Sequence, residues 1–596
     1  MKACTRISSL RDAVDLCVSV ELCVSVVKLR CETIYPRGTE NSLRHRVGLK
    51  DFAFVATAFA LALLFTVAPH ATRSTRAAEA TVYNVKSYGA TGDGNTLDTQ
   101  AINKAIDAAA AAGGGTVYFP AGNYLSVSIH LKNSIALYLD HGATIVAANT
   151  SNAAKYDLPE PNEWDKYQDF GHSHWHNSLI WGENLSNVSI LGPGMIWGKG
   201  LVRGGNQSRT QEQNDALNAN RANEPKTPFG YPNPRDAVEP GWGNKSIALK
   251  NCRNVLIRDI TILHGGHFAI LATGVDNLTI DNLKIDTNRD GIDIDACKNV
   301  RISNCTINSP FDDGICPKSS FALGYARATE NVTITNCQVS GYDEGTLLDG
   351  TYKRDYNRYS AFSGPTGRIK FGTESNGGFK NITISNCVFD YCRGLALEEV
   401  DGGFLEDVTI TNITMRDIGN SPFFLRLGSR LRGPEGLAVG ALRRVNISNV
   451  IVYNADAKFS SIISGIPGHD IEDVRLNNIR IYYKGGGTKA QAALQPPERE
   501  TDYPEPAMFG VLPAYGFFIR HVRGLEMSDV KVTYLNDDAR PPFIFSDAKE
   551  VELRHIKARH APGVPGLVLN GVEDFSIEQS WPLRDVRLKK ALRRQF

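Results

Sequence analysis

The chain reads as all-β, a single-stranded parallel β-helix, on three observations. First, a short pattern recurs from residue 246: Asn254-Val-Leu-Ile257, Asn277-Leu-Thr-Ile280, Asn299-Val-Arg-Ile302, Asn331-Val-Thr-Ile334, Asn381-Ile-Thr-Ile384 and Asp407-Val-Thr-Ile410, with weaker echoes at Val445, Val474, Leu525 and Val551. Where no insertion intervenes its period is roughly 22–26 residues, within the range of solenoid repeats. Second, each unit alternates apolar and polar residues with β-branched types favoured, as half-buried strands do. Third, an asparagine closes many units, at Asn251, Asn282, Asn304, Asn336, Asn386, Asn412 and Asn449. Asparagine tolerates the left-handed backbone of a sharp bend, so these positions predict corners and a stacked amide ladder. Cys305, Cys337 and Cys387 each follow such an asparagine and read as small buried apolar residues.

The amino-terminal end of the solenoid is marked by Tyr88-Gly-Ala-Thr-Gly-Asp-Gly94, a helical run from Asp98 through Ala112, and Gly113-Gly-Gly-Thr-Val-Tyr-Phe-Pro-Ala-Gly-Asn-Tyr124. A helix laid across the end blocks edge-to-edge association. Residues 150 to 245 interrupt the repeat and carry Trp164, Trp175, Trp181, Trp197 and Trp242. Such aromatics suit the wall of a carbohydrate groove and serve equally as loop packing. The predicted organisation is a leader over 1–80, a β-helix over 81–580 and a basic tail over 581–596. Within the leader, Arg44-His-Arg46 and Lys50 precede an apolar run over 52–67, and Ala77-Ala-Glu-Ala80 follows. That order reads as a secretory signal over 44–80, shorter than a membrane span, and predicts a secreted or periplasmic protein.

A net charge of +1 over 596 residues excludes bulk attraction to nucleic acid or a membrane surface, so an anionic ligand would need a local basic patch. Seven cysteines follow the leader, an odd number with no CxxC spacing, which gives no zinc motif and no complete disulfide set. A monomer without a cofactor is expected.

The candidate site is Asn288-Arg-Asp-Gly-Ile-Asp-Ile-Asp295 followed by Ser309-Pro-Phe-Asp-Asp-Gly-Ile-Cys-Pro-Lys-Ser319. It places Asp290 one repeat before the pair Asp312 and Asp313. Stacked carboxylates raise one another's pKa, and acids with separated pKa values are what glycosidic hydrolysis requires. The two-residue strand period turns Ile292 and Ile294 to the core. His172-x-His-x-His176 could bind a metal, but no carboxylate or cysteine nearby in sequence completes a set, so rim packing is the expected role and no metal is predicted.

These motifs resemble glycoside hydrolase family 28, the polygalacturonase family, over about residues 81 to 480. The YGAxGDG…GGGTVxFPAG cap and the NxDGIDID…DDxxxxKS pair carry the resemblance. It implies a right-handed β-helix and hydrolysis with inversion. It makes Asp312 the general acid, gives Asp290 and Asp313 the water, and sets Lys318 against a substrate carboxylate. Two departures stand out. The family's Gly-His-Gly is missing, for no histidine occurs between His267 and His469, and the register of its RIK clamp falls on Ala396 and Glu398. Arg368-Ile-Lys370 instead opens a strand that runs on to Glu374 and resembles the GSExxGG strand of exo-acting members. Arg368, Lys370, Glu374, Glu398 and Arg426 therefore join Lys318 as substrate-binding candidates, and Arg430 is weighed beside Arg426. Glu398 would penalise a uronate at its subsite by like charge. An insertion over roughly 340–366 reads first as a solvated loop; as a wall across the groove it would favour attack on chain ends. A uronate lyase and a non-catalytic carbohydrate-binding β-helix remain the alternatives to a pectin-type hydrolase.

Overall fold

The computed structural model describes residues 81–596 apart from 152, 169–170, 203–239 and 355–363. The leader and its signal-like run lie outside the described residues, as do the middle of the 150–245 interruption and part of the 340–366 insertion. What is described is a right-handed parallel β-helix in which each strand pairs in register with its counterpart one turn on.

Ten strands follow one another along the face that concerns function: β1 (Ile129–His130), β2 (Ile180–Glu183), β3 (Lys245–Lys250), β4 (Phe268–Thr273), β5 (Asp290–Asp295), β6 (Ile315–Lys318), β7 (Lys370–Phe371), β8 (Leu395–Glu399), β9 (Phe423–Leu427) and β10 (Ser461–Ser464). β1 to β6 form one parallel sheet. Ile315 bridges Ile369 next to β7, and β7 to β10 pair onward in register. The remaining strands form the other walls of the helix.

The alternation seen in the sequence decides which side chains face in. Ile247, Leu249, Ile270, Ala272, Ile292, Ile294 and Ile315 belong to the core that runs the length of the solenoid. Asp293 and Asp295 of β5 face out instead, so Ala248, Leu271, Asp293 and Cys316 form one outward row and Lys250, Thr273, Asp295 and Lys318 the next.

The corners follow the asparagine reading. All seven unit-closing asparagines have left-handed backbone, with φ between 51° and 57°. Their amide ladder is broken: Asn336 donates to Asn304 and Asn412 to Asn386, but Asn282 and Asn304 donate to Asp259 and Asp281. The continuous ladder belongs to the asparagines that open the units, where Asn254, Asn277, Asn299, Asn331 and Asn381 each donate to the preceding rung at 2.8–3.2 Å. Cys305, Cys337 and Cys387 are free thiols stacked in the core.

At the amino-terminal end, α1 (Thr99–Ala111) buries Ile102, Ala105, Ile106 and Ala109 against the first turn. The Asp98 carboxylate accepts the backbone N–H groups of Thr91 and Gly92 at 2.7 and 3.0 Å, which fastens the glycine-rich loop to the start of the helix. The other end corrects the sequence reading. Residues 581–596 are no tail, because Val586–Gln595 pairs antiparallel with Leu567–Glu578 and closes the last turn with a strand of opposite direction. Val586, Leu588 and Ala591 pack that strand against the core. Its basic residues face outward, so the charge density that suggested a tail is the solvent face of a cap.

One glycine is needed by the stacking itself. A Cβ on Gly291 would come within 2.4 Å of the Gly314 carbonyl oxygen and 2.6 Å of Ile307 Cγ2. Gly291→Ala should therefore cost about 1–3 kcal/mol through overpacking, read as a lower thermal midpoint, with activity falling further because Asp290 precedes it.

Candidate active site

Backbone hydrogen bonds bring the three predicted acids together. Gly291 N–H donates to the Asp313 carbonyl at 3.0 Å, and Gly314 N–H donates to the Arg368 carbonyl at 2.8 Å. The turn carrying the aspartate pair is pinned on its far side too: Gly367 N–H reaches the Asp312 carbonyl at 2.8 Å and Ser309 Oγ donates to it at 3.0 Å. The Asp313 N–H points between its neighbours, 3.3 Å from Asp290 Oδ1 and 3.1 Å from Asp312 Oδ1.

The three carboxyls differ in surroundings. Asp290 is buried, and burial, reinforced by Asp293, Asp312 and Asp313, pushes it well above the usual carboxylate range against the pull of Lys318. Asp313 is equally buried and goes the other way. Burial would raise it, but Lys370, Arg368 and Lys318 outweigh burial and hold it well below the usual range. Arg368 Nε donates to its Oδ1 at 2.9 Å, and the Lys370 ammonium lies 3.1 Å from Oδ2. Asp312 is the most accessible of the three and pairs with Arg289 at 2.7 Å. Burial and neighbouring acids thus favour the protonated form of Asp290, while the adjacent cations favour the ionised form of Asp313.

The predicted substrate-binding residues prove to be a buried layer of charge around this trio. Lys318 is 3.2 Å from Glu374 and 3.8 Å from Asp293. Glu374 also binds Arg432, and these cations carry its carboxyl well below the usual range despite burial. Arg368 and Lys370 occupy the place beside Asp313 and serve to hold that carboxylate, where the sequence reading set them free in the cleft. Glu398 lies beneath both, 3.9 Å from Arg368 and 3.8 Å from Lys370, and neither of its oxygens has a hydrogen-bond partner. Burial pushes its carboxyl up to about 8, although both cations pull it down. Of the two remaining acids on β5, Asp295 accepts Ser320 N–H and Oγ at 2.7 and 2.6 Å, and Asp293 lies 3.4 Å from His172.

Arg426 stands apart and corrects the reading of it as a substrate contact. Its two terminal nitrogens are bonded to Ser464 Oγ and to the carbonyls of Gly465, Glu498 and Arg499, at 2.8–3.0 Å. Together with Arg520, which binds the carbonyls of Pro496, Pro497 and Glu498, it anchors a strap over residues 494–510. Arg430 binds Asp401 through two nitrogens and so serves the same buried layer.

The strap brings in two site residues that sequence reasoning missed. Glu505 accepts Arg368 Nη2 at 3.1 Å, Arg393 Nη1 at 2.9 Å and Asn420 Nδ2 at 2.8 Å. Tyr503 sets its hydroxyl 3.4 Å from the Lys370 ammonium. Their one sequence signal is Pro496-Pro-Glu-Arg-Glu-Thr-Asp-Tyr-Pro-Glu-Pro506, an extended proline-rich segment that falls outside every repeat.

The histidines pack on aromatic rings as expected, His172 edge-on to Phe268 and His176 stacked on Trp181. His172, Asp290 and Asp293 gather ligand-type atoms within 4.8 Å of one another, as do His267, Asp290 and Asp312. Carboxylates from later turns thus reach His172 and His267, although the Lys318 ammonium already places positive charge beside Asp293. His174 and His176 turn to Asp165 and Glu183. Trp175 is fully buried, donates to Thr273 Oγ1 at 3.0 Å and packs on Ala248, Phe268 and Leu271, so it fills the face before the acids. The described part of the 340–366 insertion docks on the flank, where Glu344 meets His264 at 2.7 Å and Asp286 accepts the N–H groups of Gly345, Leu347 and Leu348.

The site is thus a cluster of acids on successive turns of one face of a long parallel β-helix. Residues 82–309 match the family model described as rhamnogalacturonase A/epimerase, pectate lyase-like. The chain is 23% identical over 459 residues to a probable polygalacturonase of Vitis vinifera, covering 72% of this chain and 82% of that one. It is 28% identical over 256 residues to an exo-poly-alpha-D-galacturonosidase of Dickeya chrysanthemi, covering 39% of this chain and 40% of that one. The fold is shared with a family 28 exopolygalacturonase of Yersinia enterocolitica, with a TM-score of 0.57, 20% identity and coverage of 81% of this chain and 79% of that one. The chain is thus similar to polygalacturonases over most of its length and shares their β-helix fold.

The buried Glu398 makes stability depend on pH. Its folded value of about 8 exceeds the ordinary 4.5, so the folded state keeps a proton that the unfolded state loses. Its share of stability is full below pH 4.5 and is lost as pH rises toward 8. Glu398→Gln should remove that loss and raise stability at pH 9 relative to the parent by on the order of 4 kcal/mol, measured by urea unfolding at pH 4 and pH 9.

Proposed function

We propose that the protein is an inverting glycoside hydrolase that cleaves pectic glycans from chain ends. The observation that carries the chemistry is the opposite proton preference of two adjacent buried acids, Asp290 and Asp313. Hydrolysis needs one group to give a proton and another to take one. Asp313 is ionised, and each of its oxygens keeps a lone pair for a water after accepting from Arg368 or Lys370. Asp290 stores a proton with its carboxyl within 4.8 Å of Asp312, the acid most open to substrate.

The step then balances. The water oxygen bonds to the anomeric carbon and gives its proton to Asp313. The glycosidic C–O bond breaks, and the leaving oxygen takes a proton from Asp312, which Asp290 replenishes. The names of the grape and Dickeya relatives support a galacturonan-type substrate. Two coverings of the face support attack at chain ends: Trp175 fills it before the acids, and the strap lies over it beyond them. The signal-like run over 52–67 supports export.

Asp312→Asn should lower kcat by about 10²–10⁴ with an unchanged circular dichroism spectrum; near-parental turnover would sink the mechanism. Raising pH strips the stored proton from Asp290, so activity should fall on the alkaline side at a pH well above ordinary carboxylate titration. It should persist into acid because Asp313 is held low. A pH–rate profile of kcat/KM on pectic oligosaccharides reads both limbs. Products should be reducing sugars without ultraviolet absorbance and insensitive to chelators, whereas an unsaturated product would reassign the site to a lyase.

A further inference from the structure

The functional face does not end at the strap. Past β10 it continues through Phe517–Asn536, Phe543–Arg554 and Leu567–Glu578, and in-register pairing carries two outward columns along it. One is apolar and runs Ala396, Phe424, Ile462, Phe518, Ile544 and Val568. The other stands two residues on in each strand. It runs Arg426, Ser464, Arg520, Ser546 and Asn570, and the closing strand adds Arg593 opposite Asn570. Over their first half the strap covers both columns. Arg426 and Arg520 bind its carbonyls, and Phe509 packs on the apolar column with its ring centroid 5.4 and 4.8 Å from the two guanidinium groups.

Over their second half the columns floor a cavity of about 960 Å³, at the upper end of ordinary ligand sites. At about 4.8 Å per turn it lies roughly 20–30 Å along the axis from β7. The strap stands between: Glu498 lines the cavity, whereas Tyr503 and Glu505 of the same segment reach Lys370 and Arg368. Phe518, Ile544 and Val568 give the cavity an apolar strip, with a hydroxyl and an amide beside it at Ser546 and Asn570. Asn570 reaches Ser546 Oγ at 3.4 Å through its nitrogen, which leaves its amide oxygen for a ligand. Apolar side chains flanked by neutral hydrogen-bonding groups suit a sugar ring, apolar on its faces and polar on its edge.

Charge selects the kind of sugar. The lining carries the cations Lys489, Arg520 and Arg593 against the carboxylates Glu498 and Asp547. Arg520 and His521 each meet Glu498 at 3.1 Å, and His521 Nδ1 lies 2.8 Å from Asp547. Lys489, at the entry to the strap, and Arg593, on the closing strand, meet no carboxylate among the described residues. Surplus positive charge over an amphipathic floor fits a glycan that carries carboxylates.

We propose that this cavity is a second, non-catalytic glycan site that holds a short stretch of acidic oligosaccharide, set apart from the catalytic turn by the strap. The choice of a uronate glycan rests on the hydrolase reading. The site itself rests on the two columns and on Lys489 and Arg593.

The test counts binding sites on the full chain carrying Asp312→Asn, titrated calorimetrically with a short oligogalacturonate. Two sites per chain are expected. Adding Lys489→Ala and Arg593→Ala should weaken one of them by about tenfold and leave the other as it was, whereas Lys489→Arg with Arg593→Lys should retain both. Both positions are exposed, so an unchanged circular dichroism spectrum is expected of each variant. One or two sites that the alanine pair leaves unchanged would overturn the proposal, as would equal binding of a neutral oligosaccharide or of oligoglutamate at the weakened site. A single site that the alanine pair weakens would support the distal site and count against uronate binding at the acids. Release of reducing sugar from the same oligogalacturonate by the wild-type protein reads the hydrolase proposal separately.

Discussion

Parallel stacking in register is the constraint from which the rest follows. Strands about 4.8 Å apart set each outward side chain against its counterpart one turn on. In the core this lines isoleucines on isoleucines and cysteines on cysteines, where likeness packs well. On the open face the same rule sets Asp290 against the Asp312–Asp313 turn, and like charge at that spacing must be compensated. The compensation also comes from stacking: Arg368 and Lys370 arrive one turn later, and Lys318 arrives from the same strand pair. Most of the charged layer can be read as what a β-helix needs in order to hold carboxylates in adjacent turns.

That origin explains why the acids end with different proton affinities. Asp290 is flanked by acids and has one nearby cation, whereas Asp313 has a cation on each oxygen. The turn of β7 alone separates the two cases. In the resemblance with family 28 a histidine is expected at that turn, and here an arginine and a lysine take its place. The substitution exchanges a titratable neighbour for permanent charge, which fixes the ionised state of Asp313 across the working range of pH.

The sequence made the fold and the acids legible because both are written in a local period. Asn254 to Asn381 carry the repeat, and Asp290, Asp312 and Asp313 fall at fixed places within it. The period cannot say what lies over the face. His172 looked unpartnered because Asp290 and Asp293 are more than a hundred residues away in sequence. Arg426 looked like a grip for substrate because nothing in its strand shows the carbonyls of Gly465, Glu498 and Arg499 converging on it. Glu505 and Tyr503 were missed for the same reason, since the strap that carries them has no repeat signature. The closing strand at Val586–Gln595 was taken for a tail because its outward residues are basic and its inward ones are few.

The strap has a consequence for how the molecule is made. A solenoid can add turns in order as it leaves the ribosome, each new turn resting on the last. The trio of acids is in place once the turn of β7 has stacked. Glu505 and Tyr503 emerge more than a hundred residues later, and the clamps that seat them, Arg426 and Arg520, lie on either side of the strap in the chain. The nascent protein therefore passes through a stage with a folded catalytic wall and an unfinished site. During that interval Arg368 and Lys370 already hold Asp313 but lack the contacts to Glu505 and Tyr503 that the strap brings.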